Sequence, residues 1–364
     1  MIHIVIGTKA QLIKMAPLMA YFTRHNISYH YISTGQHKTT IDEILANFEL
    51  REPDTLLYDG PDITSIKQML VWAAKLMWRS FRNRNHIFPG DKANSIVLVH
   101  GDTFSTLLGA LMGRFAGLKV GHVESGLRSF NYFHPFPEEL TRLLVFKLSD
   151  VYFCPGDWAV KNLEKEKGIK VNTFSNTLSE SLRIALPAIE RVSDVHIPRH
   201  RYAVATLHRY ENIYRADAME RLVKLIELIA ENCPLLFILH KPTEICLKKF
   251  GYYQRLAENP RIELRPRYDY FRFIKLLKDA DFVVSDGGSN QEECSYLGKP
   301  VILLRKSTER REGLGQNCVL SRYHPQTIEE FLRQRDRYRQ PFTAQVISPS
   351  RIIAEHCGLY NNRF

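Results

Sequence analysis

Short, continuous apolar runs alternate along the chain with longer stretches in which apolar residues recur at helical spacing. The first half of the chain contains the runs IHIVIGT, YHYIST, SIVLVHGDT, KVGHVES and DVYFCP. The second half contains RYAVATLH, LLFILHK, RIELRP, DFVVSDGG and KPVILLR. Runs this short and this uniformly apolar are typical of strands buried on both faces of a parallel sheet. The stretch from Gln11 to His25, directly after the first run, predicts a helix.

The alternation of strands and helices occurs twice along 364 residues. It predicts an α/β protein with two doubly wound, Rossmann-like domains facing each other across a cleft. We expect an N-terminal domain at 1–172 and a C-terminal domain at 173–345. The remaining residues, 346–364, should form a helical tail that packs back on the N-terminal domain.

Polar residues are concentrated just after the predicted strands. In an open parallel sheet, ligands bind at the carboxyl ends of the strands, so these positions are candidates for a functional site. They are Gly7–Lys9, His100–Thr103, Glu124–Arg128, His208–Asn212, His240 and Ser285–Glu293. A single His or Glu at a strand end is more often a helix cap than a catalytic group, so each residue keeps both interpretations.

Asp102 and His208 are the strongest candidates for proton transfer among these positions. Asp102 follows a buried strand, and Thr103 and Ser105 can cap the next helix in its place, which leaves its carboxylate available. His208 and Arg209 follow a strand of the second domain. The pattern suits proton transfer by one domain and phosphate binding by the other.

A glycine-rich turn in SDGGSNQEE follows a strand and opens a helix. Backbone N–H groups at such a helix start can bind phosphate, and Gly287, Gly288 and Ser289 supply them here. The next strand is followed by a basic segment containing Arg305, Lys306, Arg310 and Arg311. This segment is either a partner for a pyrophosphate or a solvated basic loop.

The net charge of +11 limits the classes of partner without choosing one. The basic residues are scattered, and no Lys/Arg block with interleaved aromatics predicts a nucleic-acid groove. The segment Trp72–His86 could lie on a lipid surface. We favour a domain helix with Trp72, Leu76 and Met77 in the core and its arginines in water, because that pattern is far commoner.

Three further features bound the location and the chemistry. The six cysteines are widely spaced, which indicates buried thiols in a reducing cytoplasm rather than disulfides or zinc. The N-terminus resembles a strand and not a signal peptide, and no apolar run is long enough to span a membrane. No metal motif or dinucleotide fingerprint occurs, so we expect no metal and no cofactor.

Nearly the whole chain resembles the non-hydrolysing UDP-N-acetylglucosamine 2-epimerases, which have the GT-B architecture. The resemblance is carried, in family order, by GTKAQLIKMAPL, TGQH, VHGDTFS, HVESGLRS, PFPEE, TLHRYEN, SDGGSNQEE, LGKPVILLR and STERREGLG. It implies interconversion of UDP-GlcNAc and UDP-ManNAc through elimination of UDP to a glycal and its re-addition. It also implies a cytoplasmic homodimer that supplies surface polysaccharide synthesis, with no nucleic acid and no stable membrane insertion.

The resemblance assigns roles to particular residues. Asp102, Glu124, Glu138 and His208 match catalytic positions of the family. The residues expected to bind substrate are Lys9, Lys14, Arg128, Arg209, Ser285, Gly287, Gly288, Ser289, Glu293 and Arg310. Among these, Gly288, Glu293 and Arg310 match positions that hold the uridine diphosphate, and Arg128 should hold the carboxylates in place. Glu139 and Arg142 are expected to form only a salt bridge on the helix that follows.

The chain departs from the family pattern at several positions. Lys9, Ala10 and Gln11 stand where Arg-Pro-Glu is usual, and Thr141 and Val145 replace an Asn and an Asp. These changes leave the exact sugar and any allosteric activation by substrate open. The alternatives are a hydrolysing 2-epimerase, which releases UDP and ManNAc, a GT-B glycosyltransferase, and a basic binding module without catalysis.

Overall fold

The computed structural model describes residues 1–36, 41–61, 63, 66–132, 135, 137–342 and 347–358. His37 of the TGQH motif lies outside these residues. Phe133, His134 and Phe136, which precede Glu138, also lie outside them. The chain divides into two compact units. Unit 1 is Met1–Ile184 together with Gln345–Phe364, and unit 2 is Ala185–Ala344.

Unit 1 contains a parallel sheet of seven strands within the described residues. The strands are β1 (Ile2–Ile6), β2 (Tyr29–Ser33), β3 (Thr55–Leu56), β4 (Ile96–His100), β5 (Lys119–Val123), β6 (Val151–Cys154) and β7 (Ile169–Asn172). The helices are α1 (Lys9–Arg24), α2 (Ile41–Asn47), α3 (Ile66–Arg82), α4 (Arg84–Ile87), α5 (Phe104–Phe115), α6 (Glu138–Leu148), α7 (Asp157–Asn162) and α8 (Leu178–Ala188).

Unit 2 contains a parallel sheet of six strands within its described part. The strands are β8 (Ala203–Thr206), β9 (Leu235–Leu239), β10 (Ile262–Pro266), β11 (Val283–Ser285), β12 (Val301–Leu303) and β13 (Cys318–Leu320). The helices are α9 (Tyr210–Ile213), α10 (Ala216–Asn232), α11 (Lys241–Lys249), α12 (Tyr253–Ala257), α13 (Tyr270–Asp279), α14 (Gly288–Leu297) and α15 (Pro325–Gln334), with short 3₁₀ turns at Ile189–Arg191 and Arg335–Tyr338. Helix α16 (Pro349–Gly358) belongs to unit 1.

Both sheets follow the doubly wound strand order. In unit 1 the order is β3-β2-β1-β4-β5-β6-β7, and in unit 2 it is β10-β9-β8-β11-β12-β13. The predicted pair of doubly wound α/β domains is therefore confirmed. In each sheet the direction of winding reverses between two neighbouring strands, β1 and β4 in unit 1 and β8 and β11 in unit 2. Ligands of such sheets bind where the order reverses.

The core explains why the strands could be recognised in the sequence. All residues of β1, β4, β8 and β9 are buried, as expected for strands covered by helices on both faces. All six cysteines are buried and free. No helix in the described part of the chain combines the length and the apolar character needed to cross a bilayer.

Helix α3 has an apolar face on each side. Its inner face places Trp72 and Leu76 in the core, each 1% exposed, and Met77 packs against the same cluster, as the sequence predicts. Arg79 and Arg82 are exposed, as the sequence predicts, but the outer face also carries apolar residues that the sequence analysis did not assign there. Leu70, Val71, Trp78 and Phe81 are all more than half exposed there.

The C-terminal helix is anchored to unit 1 by one carboxylate. Helix α16 packs on α1. Glu180 of α8 accepts hydrogen bonds from the Ser348 hydroxyl, at 2.5 Å, and from the Ser350 amide, at 3.0 Å. The first turn of α16 therefore obtains its cap from a side chain that lies far away in the sequence.

His3 on β1 is expected to weaken the fold in acid. Burial and the neighbouring His30 lower its pKa to about 3. Below about pH 6.5 the unfolded chain therefore binds a proton at His3, whereas the folded chain does not. The free energy of unfolding decreases by up to about 1.4 kcal/mol for each unit by which the pH is lowered. In urea titrations, His3→Leu should shrink the loss of unfolding free energy between pH 7 and pH 5 by about 2 kcal/mol. The exposed His86→Leu should leave that loss unchanged, and an equal effect of both would contradict the assignment.

Candidate functional site

The turns after β4 and β5 lie side by side at the carboxyl edge of the first sheet. The Gly101 amide donates to the Val123 carbonyl at 3.0 Å. Gly101 and Glu124 both have left-handed backbones, with φ of 69° and 63°. This region is permissive for glycine but uncommon for glutamate. The surrounding structure must therefore hold Glu124 in this conformation, a form of backbone strain that is frequent at functional sites.

Glu124 is 8% exposed and sits between two donors. Lys14 of α1 donates to its Oε2 at 2.5 Å, and the side-chain amide of Asn176 donates to the same oxygen. Lys14 is itself 5% exposed. The buried ion pair and the Asn176 amide together fix the direction of the carboxylate.

A chain of charges connects Asp102 to helix α6. Arg142 donates to Asp102 Oδ2 at 2.5 Å and to Glu139 Oε2 at 3.0 Å. Glu139 is fully buried and also accepts from Arg128 Nε at 2.6 Å and from the Ser129 amide at 3.0 Å. Burial alone would raise the pKa of Glu139, but the hydrogen bonds from Arg128, Ser129 and Arg142 outweigh it and lower the pKa.

This network both supports and refines the expectations from the sequence. The Glu139–Arg142 salt bridge is confirmed, but Arg142 also reaches Asp102, which the sequence analysis did not foresee. Arg128 holds Glu139 rather than one of the three candidate acids. Glu138 is the first residue of α6 and is partly buried. Lys9, the first residue of α1, is also partly buried.

Gln11 and Thr103 fix the turns that carry these groups. Gln11 Oε1 accepts from the Gly7 and Thr8 amides, and its amide nitrogen donates to the His100 carbonyl at 2.9 Å. Thr103 caps α5 through the Thr106 amide, as predicted, which leaves the Asp102 carboxylate for Arg142. The β1 and β4 turns are thereby tied together at the point where the winding reverses.

His122 lies beneath the acidic cluster and is uncharged. Burial lowers its pKa to about 4. Its Nε2 lies 2.7 Å from the Gly101 carbonyl, and its Nδ1 lies 2.9 Å from the Ser125 hydroxyl. Because a carbonyl can only accept, Nε2 carries the proton and Nδ1 accepts from Ser125. The ring therefore links the β4 and β5 turns without adding charge.

In unit 2, the buried carboxylate of Asp286 organises the turn after β8. It accepts from the His208 and Arg209 amides, at 3.1 and 2.9 Å, and from Asn212 Nδ2 at 2.8 Å. His208 Nδ1 lies 3.4 Å from the same carboxylate, and the ring stacks on His240 at 4.4 Å. Partial removal from water lowers the pKa of His208, whose side chain is still 39% exposed; Asp286 opposes that shift, and Arg209 adds to it.

The glycine-rich turn opens α14 at the second point where the winding reverses. Gly287 is the N-cap residue, and its amide donates to the Ser285 hydroxyl at 3.0 Å. Ser289 lies in the first turn and is partly buried. Glu293, one turn further, is 3% exposed and accepts from Asn290 Nδ2 at 3.0 Å. Five predicted residues, Ser285, Gly287, Gly288, Ser289 and Glu293, thus lie at or within one turn of a helix start, a place that favours an anion.

Two arginines of the basic segment, Arg305 and Arg310, are buried and are not part of a solvated loop. Arg310 is 4% exposed and donates to the buried Glu292 at 2.7 Å. A Cβ atom at Gly288 would lie 2.8 Å from Arg310 Nε, so the guanidinium supports the glycine turn from behind. Arg305 is 1% exposed and pairs with Glu309, which Arg209 also contacts at 3.4 Å. Only Lys306 and Arg311 of the four predicted cations are exposed.

Asn176 was not among the candidates selected from the sequence, although it follows β7 and contacts Glu124. Asp286 lies within the selected range Ser285–Glu293, but its role in holding the His208 turn was not predicted. Asn176 comes soon after a strand, so the rule that selected the other candidates could have found it. Among the described residues, no group of three or more His, Cys, Asp or Glu side chains is arranged to hold a metal ion.

Comparison with known proteins identifies the family of the chain. The sequence profile of the family UDP-N-acetylglucosamine 2-epimerase matches residues 20–344. A UDP-N-acetylglucosamine 2-epimerase of Methanococcus maripaludis is 30% identical over 94% of each chain, and that of Bacillus subtilis is 32% identical over 85% of this chain and 80% of the relative. The Neisseria meningitidis enzyme, solved with UDP-GlcNAc bound, has a TM-score of 0.82 at 26% identity and covers 98% of each chain. The chain belongs to the UDP-N-acetylglucosamine 2-epimerase family.

Proposed function

We propose that this protein epimerises a UDP-2-acetamido sugar at C2, with UDP-GlcNAc and UDP-ManNAc or a close relative as the two partners. The observation that carries the proposal is the pair of carboxylates Asp102 and Glu124 at the carboxyl edge of the first sheet, with Glu138 at the start of the helix from which Arg142 reaches Asp102. Membership of the family supports the substrate class.

The reaction requires breaking and re-forming a C–H bond without a redox cofactor. In the proposed elimination, a carboxylate takes the C2 proton, the C1–O bond to UDP breaks, and a double bond forms between C1 and C2. The product is a 2-acetamidoglucal with UDP still bound. UDP then adds back to C1, and a second acid delivers a proton to the opposite face of C2. Two proton-transfer groups are therefore needed, which accounts for several carboxylates in one cluster.

Two separate cations hold these carboxylates in place. Asp102 is held by Arg142, and Glu124 is held by Lys14. Glu138 begins α6 and completes the set at the position that matches the family.

We propose that unit 2 holds the UDP group. The α14 start offers the amides of Gly288 and Ser289 to the diphosphate, and Glu293 offers a carboxylate to the ribose hydroxyls. Arg310 acts through the glycine turn that it supports. His208 is proposed to lie near the leaving phosphate, with its ring position set by Asp286 and His240.

The non-hydrolysing outcome can be separated from its alternatives by product analysis. With UDP-GlcNAc alone, we expect the epimeric UDP-sugar at equilibrium, with UDP attached and traces of the glycal. Stoichiometric UDP and free ManNAc would establish a hydrolysing enzyme. Consumption only when a sugar acceptor is added would establish a glycosyltransferase.

Lys9 is expected to bind the diphosphate, because it begins α1 directly after the Gly7–Thr8 turn. Lys9→Ala should weaken UDP binding in calorimetry by removing a positive charge from that helix start. Lys9→Arg should keep or improve the affinity, since the guanidinium can grip a phosphate with two N–H groups. Unchanged affinity in Lys9→Ala would exclude this role.

We also propose that the protein is a cytoplasmic homodimer that supplies surface polysaccharide synthesis, as the family resemblance suggests. The outer face of α3 supports the dimer, because Leu70, Val71, Trp78 and Phe81 form a stripe of exposed apolar side chains. Sedimentation should give twice the chain mass of 42.3 kDa. Trp78→Ser/Phe81→Ser should shift the protein to monomer, whereas Phe115→Ser, also exposed, should not. A monomeric wild-type protein would refute the proposal.

A further inference from the structure

A charged cavity lies in unit 1, at the opposite edge of the sheet from Asp102 and Glu124. It opens at the amino-terminal ends of β5, β6 and β7 and has a volume of about 520 Å³. Clefts of roughly 300–1,000 Å³ are typical of small-molecule sites. Five cationic side chains line it: Arg114, Lys119, Lys147, Lys165 and Lys167.

The two carboxylates of the cavity are already neutralised. Asp150 Oδ2 accepts from the Val120 amide at 2.8 Å and lies 3.1 Å from Arg114. Both oxygens of Glu166 accept from Lys147, at 2.8 and 3.0 Å. Five cations therefore face two carboxylates whose charges are engaged, and the cavity keeps an excess of positive charge.

The remaining lysines are available to a ligand. Lys165 and Lys167 are exposed, and neither forms an ion pair within the described part of the chain. Lys119 is 3.7 Å from Asp150, beyond hydrogen-bonding distance, and its side chain is 53% exposed. Like charges gathered at one concave surface repel each other unless an anion lies between them.

The wall between these lysines is rigid and partly apolar. Tyr152 is 1% exposed, and its hydroxyl donates to the Phe146 carbonyl at 2.7 Å. A Cβ atom at Gly168 would lie 2.5 Å from both the Asp150 carbonyl and the Tyr152 ring. The absence of a side chain at Gly168 lets the 165–168 segment pack directly on this wall, which holds Lys165 and Lys167 at the cavity mouth.

From these observations we propose that the cavity binds a phosphate-bearing anion. Clustered lysines on a preformed surface suit phosphate, whose oxygens each accept from an ammonium group. The site is separate from the helix start proposed to hold UDP, which belongs to unit 2, and it does not depend on the proposed reaction. The phosphate can come from a soluble metabolite or from a lipid head group, since both present the same chemistry.

Site-resolved lysine labelling tests the proposal. The full-length protein is saturated with UDP, to fill the proposed nucleotide site, and is treated with an amine-reactive reagent with and without inorganic pyrophosphate. We expect pyrophosphate to slow the modification of Lys165 and Lys167 several-fold, as measured by mass spectrometry. Lys224 of α10 and Lys249 of α11, which are also exposed, should react at unchanged rates. Equal slowing of all the labelled lysines would overturn the proposal. It would also be overturned if pyrophosphate slowed none of them and the protein bound no vesicles.

A matched pair of variants supplies the second test and distinguishes the sources. Lys165→Gln/Lys167→Gln should weaken pyrophosphate binding about tenfold or more in calorimetry of the UDP-saturated protein, whereas Lys224→Gln/Lys249→Gln, with the same change in charge, should not. Wild-type protein is then sedimented with vesicles of phosphatidylglycerol or of phosphatidylcholine. Binding only to phosphatidylglycerol, lost only in the first variant, indicates a lipid head group. No vesicle binding with pyrophosphate protection indicates a soluble ligand, and equal losses in both variants would refute the site.

Discussion

Glu124→Gln and Glu138→Gln should each lower the rate of deuterium uptake at C2 of the sugar nucleotide by roughly 10²–10⁴-fold in D₂O. Inversion at C2 breaks the C–H bond, and a carboxylate that carries the proton exchanges it with solvent before returning it. In Glu124→Gln the new amide keeps an oxygen for Lys14 and Asn176, so the turn should stay in place while the proton carrier is lost. The uptake is measured by mass spectrometry of the isolated UDP-sugar.

The control for this experiment is binding. UDP affinity should change little in either variant, because the residues proposed to bind the phosphates are not substituted. Glu355→Gln, which removes an exposed carboxylate of α16, should leave label uptake at the wild-type rate. Wild-type uptake in Glu124→Gln would remove Glu124 from the proposed mechanism. Unlabelled substrate with wild-type enzyme, together with acceptor-dependent release of UDP, would favour a glycosyltransferase.

Arg142→Met should destabilise the protein by an amount near the lower end of roughly 3–5 kcal/mol, the range for removing one partner of a buried ion pair. The side chain of Arg142 is 4% exposed and pairs with both Asp102 and Glu139. Its loss leaves Asp102 without this cation and Glu139 with Arg128 and the Ser129 amide. The free energy of unfolding in urea measures the effect.

Arg215→Met is the matched surface control. Arg215 pairs with Asp217 in water, with side chains 74% and 64% exposed, and such pairs contribute less than about 1 kcal/mol. Arg142→Lys should fall between wild type and Arg142→Met, because a lysine keeps the charge but cannot bridge two carboxylates in the same way. Equal losses in Arg142→Met and Arg215→Met would show that the network adds nothing to stability.

Much of the fold could be read from the sequence because strands buried on both faces are apolar throughout. Strands β1, β4, β8 and β9 show this plainly, and the rule of strand ends then selected Asp102, Glu124 and His208 without knowledge of any partner. Strands β3, β7 and β13 were missed, because they are edge strands whose residues are mostly half-buried or exposed and so show no continuous apolar run.

The pairings within the site could not be read in the same way. Arg142 lies 40 residues from Asp102, and Asn176 lies 52 residues from Glu124. Local spacing predicts the Glu139–Arg142 pair three residues apart on one helix face, but it carries no information about contacts that the sheet creates between distant turns. For the same reason, the sequence indicated only a solvated or ligand-binding cation at Arg310 and gave no sign of its buried partner Glu292.

The capping of α16 by Glu180 has a consequence for synthesis on the ribosome. Unit 2 is inserted, in sequence, between the main part of unit 1 and its last helix. When the nascent chain has reached residue 184, the surface of α1 that α16 will cover is still open, and it stays open while all of unit 2 is made. The N-terminal unit therefore cannot finish folding first, as domains usually do. Its last packing step waits for the final residues of the chain, and a chain that stops before Pro349 lacks that step.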